Sequence, residues 1–148
     1  MSERTAIVIV EDYAASPARV WRAMTDPELM ARWMMANDFV PEVGHEFTMQ
    51  GVPVPAVKFS GTIRCKVLEL VVERRLSLSW GDAAGASTNW TVSWTLERRE
   101  AGTRVTLVHD GFDLTRPEEQ ISHKVMGSGW VGIMKRLGLV AGELGMAA

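Results

Sequence analysis

A chain of 148 residues is long enough for one domain with a substantial core, because folding at this size removes on the order of 70% of the extended-chain surface from water. Sixteen basic and 18 acidic residues leave a net charge of −2 with no basic patch, which argues against a nucleic-acid partner. Cys65 is the single cysteine, so no disulfide can form within the chain. With no signal peptide visible, a reducing cytoplasm is the expected location, and the apolar run Ala6–Val10 is far too short to insert into a membrane.

Thr5–Tyr13 is rich in Ile and Val and reads as a first strand, without the alternation that would say which face is inward. Ser16-Pro17 is a helix start, Ser at the cap and Pro in the first turn, for a short helix through Thr25 with Val20, Trp21 and Met24 on one side. Asp26-Pro27-Glu28 starts a second short helix to about Met34, with Leu29, Met30 and Trp33 at helical spacing. Asn37–Gly44 is connecting structure punctuated by Pro41 and Gly44.

Strand patterns follow. Phe47 and Met49 alternate with Thr48 and Gln50, and the loop Gly51–Pro55 comes next. Phe59, Gly61, Ile63, Cys65 and Val67 alternate with polar residues in a long strand. Glu73–Trp80 continues the pattern with Leu76, Leu78 and Trp80, before a turn at Gly81–Gly85. Trp90, Val92, Trp94 and Leu96 form the apolar side of the next strand, and after a hairpin turn at Ala101-Gly102 so do Val105, Leu107 and His109. Clean alternation between consecutive hairpins predicts an antiparallel sheet with one solvated face.

Asp110–Thr115 leads to a long amphipathic helix over Pro117–Leu144, for which Thr115 followed three residues later by Glu118 supplies a capping signal. Met126, Trp130, Ile133, Met134, Leu137, Ala141 and Leu144 make one stripe, with His123 on its edge. This is the one element long enough to cover the apolar face of the sheet. Gly127, Gly129, Gly132 and Gly138 lie inside it and forgo together roughly 3–4 kcal/mol of helix propensity. Close packing against neighbours or a pliable helix beside a cavity would each account for them.

Several of these stretches are similar to one family. Ser16-Pro17-Ala18-Arg19-Val20-Trp21-Arg22-Ala23-Met24-Thr25-Asp26-Pro27-Glu28-Leu29-Met30-Ala31-Arg32-Trp33-Met34 resembles the signature of the Hsp90-ATPase-activator homologue (AHSA1-like) family of the START/Bet v 1-like superfamily. Val43-Gly44-His45-Glu46-Phe47, Gly61–Glu69 with Arg75–Trp80, and Gly102–Leu107 continuing through His109-Asp110-Gly111-Phe112 are similar to its later segments, and Trp130 sits where the family commonly has a Trp in its final helix. The resemblance covers nearly the whole chain as a single domain, residues 1–148. It implies an α+β helix-grip fold: a curved antiparallel sheet of about six strands wrapped around a long C-terminal helix, two short helices after the first strand, and a cavity between sheet and helix. It leaves activity open, because the superfamily carries lipid carriers, hormone receptors, cyclases and co-chaperones on one scaffold.

His109 is the sharpest candidate. Alternation turns it inward, where it would either contact a ligand or serve as a hydrogen-bonded core histidine, and His123 would approach it from the helix. Trp80, Trp90 and Trp94 share the inward register with Phe59; Phe47, Met49, Met126, Trp130 and Met134 come from the other walls. Together they predict an apolar pocket with few polar groups, the profile of a small-molecule site. His45, His109, His123 and Cys65 lack metal-ligand spacing, and no nucleophile elbow, phosphate loop or dinucleotide fingerprint is present, so no metal, cofactor or catalytic residue is assigned. The expected function is non-enzymatic binding of a small apolar, aromatic or lipid-like molecule. The alternatives are a cyclase- or hydrolase-type enzyme in the same cavity and, from the family name, a chaperone-interacting protein of the stress response that acts on Hsp90. The eukaryotic activators carry an additional N-terminal domain that this sequence lacks, and no charged docking stripe is visible, which ranks Hsp90 below a small molecule. An exposed apolar sheet edge would permit a homodimer.

Overall fold

The computed structural model describes residues 6–53, 55, 60–84 and 90–146. The elements follow in the order β1 (Ile7–Tyr13), α1 (Pro17–Thr25), α2 (Pro27–Trp33), β2 (Ala36–Asn37), β3 (Glu46–Gln50), β4 (Thr62–Val71), β5 (Arg75–Ser79), β6 (Gly81–Asp82), β7 (Thr91–Arg99), β8 (Gly102–Asp110) and α3 (Pro117–Met146). Seven strands run β1-β8-β7-β5-β4-β3-β2, every pair antiparallel, and β6 pairs with β4 off this path. The sheet is curled into a half-barrel with α3 as the long C-terminal helix, the α+β architecture read from the sequence.

Both early helices begin where the sequence places them. Ser16 Oγ accepts from Arg19 N at 3.3 Å with Pro17 in the first turn. Asp26 caps twice: its N–H closes α1 on Arg22 O, while its carboxylate accepts from Glu28 N at 3.0 Å to open α2. One residue therefore serves as the whole connection. The start of α3 differs from the expected capping box. Thr115 Oγ1 donates to Asp113 Oδ1 at 2.5 Å, and it is Glu119 that reaches back, accepting from Asp113 N at 2.7 Å.

β4 changes partners along its length. Its first half pairs with β3 and β6, and from Val67 onward, across the irregularity between Val67 and Glu69, it pairs with β5. Such an interruption bends a strand, which is how one long strand serves two parts of a curled sheet. Two short pieces depart from the sequence reading. Ala36-Asn37 adds to β3, and Gly81-Asp82 joins β4 although the segment reads as a turn.

The core is shared more widely than α3 alone would allow. Val20, Ala23, Met24, Met30 and Trp33 of α1 and α2 are buried with Trp130, Met134, Leu137 and Ala141 of α3. Trp33 Nε1 donates to Ala23 O at 2.8 Å, locking α2 onto α1, and its ring meets Trp94 of β7 edge-on at 6.0 Å. The missing alternation in Ala6–Val10 has a simple cause. Ile7 faces the core while Val8 and Val10, 58% and 52% exposed, stand on the outer face of an edge strand.

A buried histidine in an aromatic cluster

β8 alternates strictly, with Thr103, Val105, Leu107 and His109 buried. Its last inward residue is therefore an imidazole with no exposed surface. His109 lies opposite Val92 of β7, and Trp94 lies opposite Leu107, so the two rings sit diagonally on one face. Gly111 (φ 99°) then turns the chain in a conformation that favours glycine, and Phe112 comes back to 4.5 Å from the His109 ring.

Around His109 the ring centroids of Trp90, Trp130 and Trp80 lie at 5.2, 5.9 and 6.3 Å. Trp130 also meets Trp80 at 5.3 Å and Trp94 at 5.9 Å, in edge-to-face geometry favoured by the ring quadrupole. One polar contact fixes this arrangement: Trp130 Nε1 donates to His109 Nδ1 at 2.9 Å. An Nδ1 that accepts puts the neutral ring's proton on Nε2. Burial, with His123 nearby as a smaller influence, drives the His109 pKa down to about 3, so the ring is uncharged near neutral pH.

The cluster has a less buried side. Phe112 separates the histidines, its ring 4.5 Å from His109 and 4.9 Å from His123. Trp90 is half-buried and donates from Nε1 to Glu119 Oε1 at 3.2 Å, tying the start of β7 to the first turn of α3.

The sequence candidates thus divide. Trp80, Trp90, Trp94, His109 and Trp130 come together; His123 joins through Phe112, and Met126 and Met134 pack from α3. Phe47 and Met49 are buried on β3, four steps along the sheet path from β8, and Phe47 packs against Phe39 at 5.1 Å. Phe59 lies outside the described residues. Among the described residues, no three of His, Cys, Asp and Glu gather as a metal site would require, and no helix is long and apolar enough to cross a membrane. Cys65 is buried on β4, and burial pushes its thiol pKa up.

A model of the activator of Hsp90 ATPase homologue 1-like proteins matches residues 14–141. The chain belongs to this family. Solved structures agree. The chain is similar to MLL2253 from Mesorhizobium loti, with 27% identity and a TM-score of 0.80 over 93% of this chain and 97% of that one. It is similar to BH1534 from Bacillus halodurans, with 29% identity and a TM-score of 0.73 over 92% and 96%. The fold alone also matches DynU16, a protein of the dynemicin biosynthetic locus, at 20% identity and a TM-score of 0.72 over 90% of this chain and 46% of that one. None of the curated proteins matches. In this family member the N-terminal signature Ser16–Met34 is the α1–α2 pair, and Trp130 is the α3 residue that bonds His109.

Three contributors escaped the sequence reading. Phe112 lies in a polar connection, where only the preceding Gly111 signals a sharp return. Trp33 reads as the apolar side of α2 with no hint that its partner is Trp94. Glu119 reads as a first-turn carboxylate, and its bond to Trp90 depends on where α3 crosses the sheet.

Proposed function

We propose that this protein binds a small apolar or aromatic molecule between the sheet and α3, and holds it without chemical change. The observation that carries the reading is the aromatic cluster around His109: four large rings about one buried, uncharged imidazole. Rings with a few placed polar atoms make the surface that small-molecule sites use. A ligand the size of an indole, burying roughly 200 Å², would gain about 5 kcal/mol from burial before the costs of association. Half-buried Trp90, with His123 beyond Phe112, marks the side from which it would enter. The single cysteine, buried on β4, suits action in a reducing cytoplasm.

The test is thermal stability across fatty acids, flavonoids, polyketide-like aromatics and aryl ketones, read beside Trp fluorescence. A ligand bound only to the folded state adds about 2.7 kcal/mol of stability at a hundredfold excess over its Kd. A raised midpoint with Trp quenching supports the reading. No shift from any class overturns it and moves the weight to protein partners, Hsp90 first.

A further inference from the structure

Two buried polar atoms in the cluster have no hydrogen-bond partner among the described residues: His109 Nε2 and Trp94 Nε1. Buried polar groups are paired in the great majority of cases, so each orphan calls for an explanation. Here the two belong to one place. The β7–β8 register puts Trp94 and His109 on the same face as diagonal neighbours, whose separation is typically about 7–8 Å. Both rings pack against Trp130 at 5.9 Å.

The two orphans also have the same polarity. An indole N–H can only donate, and because His109 Nδ1 accepts from Trp130, His109 Nε2 donates as well. No charged group bonds either, and His123, whose charge bears on His109, stands beyond the Phe112 ring. A carboxylate buried here would find donors but no cation beside them, and an ammonium would find no acceptor. A carbonyl oxygen has two lone pairs and needs no compensating charge.

Resting on the reading that an apolar ligand enters between sheet and α3, we propose that the site selects an uncharged apolar molecule bearing a carbonyl oxygen, which accepts from His109 Nε2 and Trp94 Nε1. The ligand class is the aryl ketone, quinone or lactone rather than the free acid, amine or hydrocarbon. Both donors lose their water when the chain folds, so a carbonyl gains their bonds without desolvating them again. That makes the contacts worth more than an average exchange of hydrogen bonds with water.

Three probes of nearly one shape separate the possibilities: 2-acetylnaphthalene, 2-isopropenylnaphthalene and 2-naphthoate, titrated into the intact protein by Trp quenching and calorimetry. A merely apolar site binds the alkene tightest, since the ketone must shed water. The proposal predicts the ketone tighter than the alkene by on the order of tenfold or more, with naphthoate weaker than the ketone. Trp94→Phe removes one donor along with part of the apolar wall that all three probes share; it should bring the ratio of ketone to alkene affinity toward one. Should that variant fail to fold, the wild-type ratio and the movement of the Trp94 indole proton signal on adding ketone carry the test. Alkene binding equal to or tighter than ketone overturns the carbonyl proposal and leaves the apolar-ligand reading standing. Naphthoate binding tightest overturns the exclusion of charge. Binding of none of the three overturns the carbonyl proposal, and the wider ligand library then decides the apolar-ligand reading.

Discussion

Trp94 and Trp130 carry the same side chain at the same depth, 0% and 1% exposed, and differ in one bond: Trp130 Nε1 has His109 Nδ1, whereas Trp94 Nε1 has no partner among the described residues. Cutting each to Phe removes the same volume. Trp130→Phe also leaves the His109 acceptor bare, so it should cost about 1–3 kcal/mol more than Trp94→Phe in urea unfolding. Equal losses would mean that the bond contributes nothing. His109 sets a second expectation. Its folded pKa of about 3 lies below its ordinary 6.5, so between those values the unfolded chain binds the proton more readily. Stability is fully present above 6.5 and falls as pH drops toward 3, by about 1.4 kcal/mol between pH 7.5 and 5.5 from this group. His109→Gln keeps an acceptor for Trp130 and cannot titrate, so it should remove that part of the slope; an unchanged slope would place the titration elsewhere. The inward direction of His109 was legible because a strand alternates. Its partner was not, because the phase of α3 against the sheet decides which residue 21 positions later reaches it.

At the scale of the element, α3 answers the question its glycines raise. A Cβ on Gly138 would lie 2.6 Å from the Tyr13 ring, whose hydroxyl donates to Met134 O, while a Cβ on Gly129 would meet nothing within 4 Å. Close packing therefore accounts for Gly138 and not for Gly129. Gly129→Ala should stabilise the protein by up to about 1 kcal/mol through helix propensity. Gly138→Ala should destabilise it through the clash, which outweighs the same propensity gain. A stabilised Gly138→Ala in thermal unfolding would show that Tyr13 moves aside freely. The starts of the short helices were legible to the residue because Ser16-Pro17 and Asp26-Pro27 act locally. β2 and β6 were not, since two-residue strands have no period to read and exist only because β3 and β4 lie beside them.

For the molecule as a whole, hairpin after hairpin made the antiparallel curl and its covering helix readable in advance. What remained hidden was the sharing of the inner face. α1 and α2 bury Met24, Met30 and Trp33 over the sheet, and Trp33 against Trp94 closes one side of the cluster. On the proposed reading, a ligand would reach His109 from the side marked by Trp90, Phe112 and His123. Val8 and Val10 on β1, and Ile121, Val125 and Leu139 on α3, expose apolar surface elsewhere, where a sticky probe would gather without being recognised. The decisive measurement is therefore one of location: intermolecular NOEs in the complex with 2-acetylnaphthalene. The account predicts contacts from the probe's ring protons to the Trp94, Trp130 and His109 rings, with the Trp94 indole proton moved downfield. Contacts confined to Val8, Val10, Ile121 or Leu139 would contradict it and make the aromatic cluster a filled core.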